Sequence, residues 1–252
     1  MKRFSHMIIA IIPARYTSSR FPGKPLARIQ GKTMIQRVYE QVIKCPSFHQ
    51  VMVATDDERI ANEVKAFGGT VVMTAAHHQS GTERCAEAAA SLAERPGHVV
   101  NVQGDEPFVH PEQLQTICDL LMQPEVGIAT LVKRISRNDD LSNPNIVKVV
   151  TDVNRLAMYF SRAAIPHQRD LPSDYWAGTG MYWKHIGLYG FRFDILQQIV
   201  QLPPNDLEKT ESLEQLRWLA HGYRIHVAET QHESFAVDTA EDLLRAEKFM
   251  TE

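Results

Sequence analysis

The sequence predicts an α/β fold with a doubly wound, mostly parallel sheet. Short runs of β-branched and other apolar residues, typical of buried strands, alternate with helical apolar spacing through the first half. Polar or glycine-containing loops follow several of these apolar runs. The chain has 252 residues, which is enough for one large domain, or for a domain with a subdomain, around a sizeable core.

In the first half, the strand and helix patterns follow one another in regular order. Val38 and Val42 repeat at helical spacing behind Thr33, a residue that favours the N-cap position. Glycines 68 and 69 end the next helical pattern. The predicted strands are 8–14, 50–54, 70–73, 98–103 and 127–134, and the predicted helices are 34–42, 58–67, 83–92 and 111–122.

The second half is less regular. Residues 161–185 are rich in aromatic residues, prolines and charge, and they are long for a structureless connection. Connections of this length are often lids or binding loops. We predict strands at 147–150, 156–160, 186–191 and 225–228, and helices at 193–201, 211–221 and 239–249.

Composition excludes several classes of protein. The 27 Lys and Arg residues against 30 Asp and Glu give a net charge of −3, which offers no electrostatic basis for a nucleic-acid partner. No apolar stretch reaches membrane-spanning length, and the run after Lys2 and Arg3 is too short for a secretory signal. Three cysteines without metal-ligand spacing suggest reduced thiols. We therefore expect a cytoplasmic protein with no membrane partner.

The loop after the first strand predicts a nucleotide site. It carries Arg15, Arg20 and Lys24 among small residues and prolines. Such cations, together with backbone N–H groups, suit a polyphosphate. No GxGxxG follows the strand, and Gly31-Lys32-Thr33 lacks the glycine that a P-loop needs at position 26, so a dinucleotide fold and a Walker A motif are both excluded.

Other polar segments are expected at the same edge of the sheet. In an open α/β sheet, ligands bind beyond the carboxyl ends of the strands. Residues 55–56, 80–84 and 103–105 follow predicted strands there, as Arg15 does. This convergence favours one site built from several loops, although each segment taken alone fits an ordinary cap or surface loop.

Two aspartates are candidate Mg²⁺ ligands. Asp105 comes directly after Gly104, which follows a predicted buried strand. Asp238 precedes a predicted helix that has acidic residues in its first turn. Mg²⁺ is usually held by one or two carboxylates with phosphate oxygens and water. On local grounds alone, the sequence favours a turn role for Asp105 and a helix N-cap role for Asp238 over metal binding.

The chain resembles the 3-deoxy-D-manno-octulosonate (Kdo) cytidylyltransferases, or CMP-Kdo synthetases. The resemblance runs from about Met7 to Phe249 and is most specific at 78–84 (His-Gln-Ser-Gly-Thr-Glu-Arg) and 102–107 (Val-Gln-Gly-Asp-Glu-Pro). The remaining matching blocks are 8–26, 160–162, 185–189, 213–217 and 237–239. The resemblance implies a nucleotide-diphospho-sugar transferase-like fold with a small inserted substrate/dimerisation subdomain. It also implies one domain over 1–252, with a nucleotide-binding half at about 1–134 and a sugar-binding half at about 135–252.

The resemblance implies that CMP is transferred from CTP to the anomeric hydroxyl of Kdo, releasing pyrophosphate and activating Kdo for lipopolysaccharide biosynthesis. The implied catalytic residues are Arg15, Lys24, Asp105 and Asp238, the last two holding Mg²⁺. The implied nucleotide-binding residues are Ala14, Arg15, Arg20, Lys24, Ser80, Arg84 and Gln103. The implied sugar-binding residues are Arg162, Arg169, His185, Tyr189, Glu214 and Gln215. Members of the family are typically homodimers, so we expect a homodimer.

Other interpretations remain open at this point. Arg162 also fits a cation at a strand end, and Glu214 and Gln215 fit a solvated helix face. A sibling enzyme for 8-amino-Kdo or another nonulosonic acid, or one using UTP or dTTP, would share the fold. A non-catalytic nucleotide-binding protein would share it too, because fold alone does not fix chemistry.

Overall fold

The structure, a computed structural model, describes residues 6–17, 21–233, 236–237 and 239–249. The strands are β1 (Ile8–Ala14), β2 (Arg28–Ile29), β3 (Lys32–Thr33), β4 (Gln50–Thr55), β5 (Val71–Met73), β6 (His98–Asn101), β7 (Ile128–Arg134), β8 (Lys148–Thr151), β9 (Ala157–Ser161), β10 (Trp183–Arg192) and β11 (Ile225–Glu229). The helices are α1 (Met34–Val42), α2 (Glu58–Ala66), α3 (Gly81–Ala90), α4 (Pro111–Leu121), α5 (Asn138–Ser142), α6 (Phe193–Ile199), α7 (Asp206–Glu211), α8 (Gln215–Ala220) and α9 (Ala240–Phe249).

Within the described residues, nine strands form one mixed sheet in the order β11-β7-β10-β6-β1-β4-β5, with β8 paired to β10 and β9 paired to β8. β1 lies parallel to both β4 and β6, and β4 lies parallel to β5. β10 runs antiparallel between β6 and β7. The beginning of β10 therefore lies beside the carboxyl ends of its neighbours, where a ligand site is expected.

The sheet is covered on both faces, as the doubly wound prediction requires. Alternate residues of β1 point to opposite sides, so Ile12 lies in one apolar cluster with Leu114 of α4, whereas Ile11 lies in the other cluster with Trp218 of α8. These side chains are fully or almost fully buried. Two apolar layers thus hold the central strands rigidly between helices.

The helix predicted at 211–221 begins only at Gln215, as α8, and a separate helix, α7, ends at Glu211. Ser212 adopts a left-handed conformation with φ 51°, which ends α7 and redirects the chain before α8. A non-glycine residue rarely adopts this conformation, so helical spacing alone did not reveal the break. The turn places Glu214 at the start of α8 instead of inside a continuous helix.

The segment predicted as a binding loop or lid has structure of its own. Two short 3-10 turns, Ser173–Tyr175 and Ala177–Thr179, surround the buried side chains of Trp176 and Tyr182. The Trp176 indole donates to the carbonyl of residue 171 at 2.7 Å. Helix α5, which was not predicted, packs here through a hydrogen bond from the residue 177 amide to Asn138 Oδ1 at 3.0 Å.

The β2–β3 hairpin was also not predicted. Gln30 and Gly31, both with positive φ, form its turn. Lys32 and Thr33 lie on its second strand, so the Gly31-Lys32-Thr33 sequence belongs to a hairpin, consistent with the rejection of a P-loop.

The three cysteines are free and buried. Cys45 Sγ donates to Gln115 Oε1 at 3.7 Å, and burial raises the pKa of Cys85. In the part of the chain that the structure describes, no helix combines the length and the apolar character needed to cross a bilayer.

Candidate active site

A polar cavity of about 230 Å³ opens where the loops after β1 and β6 meet the start of α3. Its lining residues are Pro13, Ala14, Arg15, Lys24, Pro25, His78, Gln79, Ser80, Gly81, Arg84, Gln103, Gly104 and Asp105. The structure thus brings together Ala14, Arg15, Lys24, Ser80, Arg84, Gln103 and Asp105 from the sequence prediction. Arg20 and Asp238 lie outside the described residues.

Six lining residues were not singled out as site residues from the sequence. They are Pro13, Pro25, His78, Gln79, Gly81 and Gly104. Most of them belong to the sequence blocks that carried the family resemblance. Treating every residue of those blocks as a candidate would have found them.

Close contacts with Pro13 explain the two glycines of this set. A Cβ on Gly104 would lie 2.8 Å from the carbonyl oxygen of Pro13, and a Cβ on Gly81 would lie 3.0 Å from Pro13 Cγ. The first approach admits only glycine, because backbone cannot move aside as a flexible side chain does. The loop after β6 and the start of α3 therefore pack directly on the end of β1.

Lys24 and Asp105 form an ion pair across the cavity, with 2.6 Å between Lys24 Nζ and Asp105 Oδ2. Lys24 begins a 3-10 turn after Gly23, whose left-handed φ of 72° bends the loop back toward the sheet. The backbone amide of Val237 donates to the Asp105 carbonyl at 2.9 Å. The chain immediately before Asp238 is therefore held against Asp105.

Arg84 is buried and links three elements. Its guanidinium lies 3.2 Å from Asp56 Oδ1, beyond β4, and donates to Thr74 Oγ1, beyond β5, at 2.5 Å. Arg84 is only 4% exposed, so these contacts fix the orientation of a cation at the cavity wall. Asp56, in the 55–56 segment predicted at this edge, thus contacts a residue of the cavity wall without lining the cavity itself.

The amino terminus of α3 forms another wall. The Ser80 hydroxyl accepts from the Glu83 amide at 3.2 Å as the helix N-cap. His78, just before it, contacts Glu87 and lies 3.7 Å from Glu83 Oε2. Backbone N–H groups at a helix amino terminus favour negative charge in the adjacent space.

A second polar cluster lies on the α3 side of the sheet, at the same edge. His185 Nε2 lies 2.9 Å from Thr130 Oγ1, and its ring centroid is 5.2 Å from that of Tyr189. Glu214 accepts from Thr82 Oγ1 at 2.7 Å, and Gln215 beside it is buried. The Thr82–Glu214 hydrogen bond joins α3 to the chain leading into α8.

Burial controls ionisation in this cluster. It lowers the pKa of the His185 imidazole to about 3, so this ring is neutral at physiological pH. It raises the pKa of Glu214, an effect opposed by hydrogen bonds from Thr82 and Ser80. Burial, with the nearby Glu214 carboxylate, also raises the pKa of Tyr189 well above its usual value.

The two predicted arginines lie in different environments. Arg162 Nε donates to the Glu211 carbonyl at 2.7 Å, and Nη1 donates to the Pro144 carbonyl at 3.0 Å. Arg162 thus braces the turn that carries Glu214. Arg169 is exposed, and its guanidinium contacts Asp170 rather than the other predicted sugar residues.

These features define a class of protein. An α/β sheet carries a cavity at the carboxyl ends of its parallel strands, lined by cations, a helix amino terminus and a carboxylate. This combination is typical of a nucleotide-binding α/β protein acting on phosphate groups.

Comparison with known proteins makes the assignment specific. The profile of the cytidylyltransferase family matches residues 9–225. A 3-deoxy-manno-octulosonate cytidylyltransferase from Cytophaga hutchinsonii is 54% identical over 239 residues, covering 94% of this chain and 95% of that protein. Another from Parabacteroides distasonis is 53% identical over 246 residues, covering 96% and 97%. This chain belongs to the 3-deoxy-manno-octulosonate cytidylyltransferases, within the cytidylyltransferase family.

Solved structures agree with this assignment. A CMP:2-keto-3-deoxy-manno-octonic acid synthetase complexed with CTP superposes with a TM-score of 0.90 at 40% identity, covering 97% of this chain and 98% of that one. A 4-diphosphocytidyl-2C-methyl-D-erythritol synthase from Anaerococcus prevotii superposes with a TM-score of 0.63 at 11% identity, covering 98% and 96%. The second likeness concerns the fold alone, and together they confirm the fold predicted from the sequence.

Proposed function

We propose that this chain transfers CMP from CTP to the anomeric hydroxyl of Kdo, giving CMP-Kdo and pyrophosphate. CMP-Kdo is the activated sugar used in lipopolysaccharide biosynthesis. The observation that carries the proposal is the cavity in which Arg15, Lys24 and Asp105 meet, in a chain about half identical to named cytidylyltransferases of this kind.

The phosphates of CTP are assigned to the cationic side of the cavity. Arg15 and Lys24 line it together with the amino terminus of α3. Positive groups at these positions neutralise charge on the α-phosphate and on the departing pyrophosphate. The anomeric oxygen of Kdo forms the new bond to the α-phosphorus while the bond to the β-phosphate oxygen breaks. The protein contributes positioning and charge rather than a covalent intermediate.

Mg²⁺ fits the acidic side of the cavity. The Asp105 carboxylate lines it, and hard oxygen donors of this kind suit the ion. Asp105 and Asp238 would hold it, since the backbone at Val237 is bonded to Asp105. When bound, the ion neutralises phosphate charge and lowers the pKa of a coordinated hydroxyl. Lys24, now paired with Asp105, is then available to a phosphate oxygen.

The cytidine is assigned to the remaining lining residues. Gln103 supplies an amide that both donates and accepts, and Ala14 supplies backbone groups at the end of β1. Ser80 and Arg84 line the opposite wall. Arg20 is proposed as a further phosphate contact on the basis of its position in the loop sequence.

The sugar is assigned to the second polar cluster and the loop beside it. Glu214, Gln215, His185 and Tyr189 offer hydrogen-bonding groups to its hydroxyls. Arginine pairs with a sugar carboxylate in a bidentate manner, which is the role proposed for Arg162 and for Arg169. Residues 1–134 thus serve mainly the nucleotide and residues 135–252 mainly the sugar.

A homodimer is the proposed assembly. Strand β9 pairs with β8 on one side, and Met158 on it is 63% exposed. An apolar residue on an edge strand is suited to burial against a second copy. Light scattering is expected to give twice the chain mass, and a monomeric mass at micromolar concentration would contradict this assembly.

Pyrophosphate release tests the function. With Mg²⁺, CTP and Kdo we expect turnover, and with UTP or dTTP, or with sialic acid in place of Kdo, we expect little. Turnover with 8-amino-Kdo but not Kdo would keep the chemistry and change the substrate. Folded protein that binds CTP but releases no pyrophosphate with any sugar would overturn the proposal.

A further inference from the structure

Two buried polar atoms at the sheet edge lack hydrogen-bond partners among the described residues. They are Asn101 Oδ1, at the end of β6, and the Tyr189 hydroxyl on β10. Asn101 is 1% exposed and Tyr189 is 7% exposed. The two residues are register partners on adjacent antiparallel strands, so their side chains lie side by side on one face.

Their location is the border between the two polar regions. A Cβ built on Gly81, which lines the nucleotide cavity, would lie 3.8 Å from Asn101 Nδ2. On its other side, Asn101 adjoins Tyr189, which contacts the ring of His185. Asn101 therefore lies on β6 between the lining of the cavity and the second polar cluster.

Folding does not explain an asparagine at this position. Its neighbours along the strand are Val99, Val100 and Val102, and its register partner on β1 is Ile11, all fully buried. An unpaired amide oxygen in such surroundings destabilises the folded state, whereas an apolar side chain would not. Beside a ligand cavity, a buried polar group that the fold leaves unpaired has a bound ligand or water as its available partner.

The chemistry of the pair specifies that ligand group. An amide oxygen only accepts a hydrogen bond, and a phenol both donates and accepts. One aliphatic hydroxyl lying between them can donate to Asn101 Oδ1 and accept from the Tyr189 hydroxyl. We propose that Asn101 is a sugar-binding residue that shares one hydroxyl of the sugar acid with Tyr189. This inference rests on the proposed function, whose sugar acid carries several such hydroxyls.

The test is a double-mutant cycle on Asn101→Leu and Tyr189→Phe, with KM measured separately for Kdo and CTP. Each single variant should raise the KM for Kdo about threefold to tenfold, the range for one neutral hydrogen bond. The double variant should show less than the product of the two effects, because both residues bind the same hydroxyl. The KM for CTP should stay within about twofold.

The melting temperature shows whether Asn101 serves sugar binding or the stability of the fold. Asn101→Leu should melt at the same temperature as the parent or higher, since it removes an unpaired polar group. His98→Leu is the matched control, because His98 lies at the other end of β6 and its Nδ1 also lacks a partner among the described residues. The control should leave both KM values unchanged. Asn101→Thr provides a second variant if the leucine disturbs folding.

Three results would overturn the inference: an unchanged KM for Kdo, a rise in the KM for CTP instead, or singles whose effects multiply. Any of these, in a parent enzyme that turns over Kdo, would leave the proposed function intact. A parent that does not use Kdo would instead refute the proposed function, and with it the assignment of this hydroxyl.

Discussion

At the level of single residues, the Lys24–Asp105 pair connects the two charges that the reaction needs. Each side chain is partly exposed within the cavity, 15% and 26% respectively, so each remains accessible to a ligand. An exposed ion pair of this kind contributes little to stability. The pair keeps the cation proposed to bind phosphate and the carboxylate proposed to hold Mg²⁺ within hydrogen-bond distance of each other, at 2.6 Å.

Asp105→Asn is expected to reduce kcat/KM by about 100-fold or more, because an amide is a far weaker Mg²⁺ ligand than a carboxylate. Its free energy of unfolding should change by less than about 1 kcal/mol, since the Lys24–Asp105 ion pair that the substitution weakens is partly exposed. Pyrophosphate release and urea unfolding check both quantities. Asp119→Asn, which alters a surface hydrogen bond to Gln115, is the control. Full activity of Asp105→Asn would exclude it as a metal ligand.

His185 should make stability depend on pH. Its folded pKa, about 3, lies below the value near 6.5 of an unfolded histidine, so only the unfolded chain takes up the proton as pH falls. The stabilising effect is complete above pH 6.5 and is lost progressively toward pH 3. The side chain is only half-buried, so solvent screens part of this effect. We therefore expect the free energy of unfolding to fall by about 1 to 2 kcal/mol between pH 7.5 and pH 5.

Urea unfolding at both pH values, compared with His185→Gln, isolates this contribution. The variant should lose correspondingly less stability on acidification. His221→Gln, at the end of α8, serves as the control and should follow the parent. Equal acid sensitivity in the parent and His185→Gln would show that His185 titrates normally in the fold.

At the level of elements, the turn between α7 and α8 determines where Glu214 lies. Ser212 reverses the chain, and Arg162 fixes the reversal by bonding the Glu211 carbonyl, while Glu211 accepts from the Arg162 amide at 2.9 Å. Thr82 then ties Glu214 to α3. The sugar-side carboxylate is thus held by contacts from three separate parts of the chain.

Arg162→Ala is expected to raise the KM for Kdo about tenfold or more, because it removes both the charged donor proposed for the sugar carboxylate and the hydrogen bonds that hold the turn before Glu214. The KM for CTP should change less than twofold, since the arginine lies away from the nucleotide cavity lining. Steady-state kinetics with each substrate varied in turn measure the difference. Arg137→Ala, an exposed arginine paired with Asp139, is the control. A larger effect on CTP would assign Arg162 to the nucleotide instead.

At the level of the whole molecule, the nucleotide side was more predictable from sequence than the sugar side. Parallel strands end at one edge, so motifs read locally after β1 and β6 had to converge, and the cavity brings them together. The sugar side depends on β10 inserting antiparallel between β6 and β7, a pairing between residues far apart in the chain. Local periodicity carries no information on that register, nor on the left-handed turn at Ser212.

The sheet edge is proposed as a single reaction site in which two substrates meet. The ³¹P NMR spectrum of a mixture of enzyme, Mg²⁺, CTP and Kdo tests this most directly, because it reports the bond formed as well as the group released. We predict the triphosphate signals to be replaced by pyrophosphate and one new sugar–CMP phosphodiester signal. Pyrophosphate accompanied only by free CMP, or triphosphate signals that persist while CTP is bound, would contradict the account.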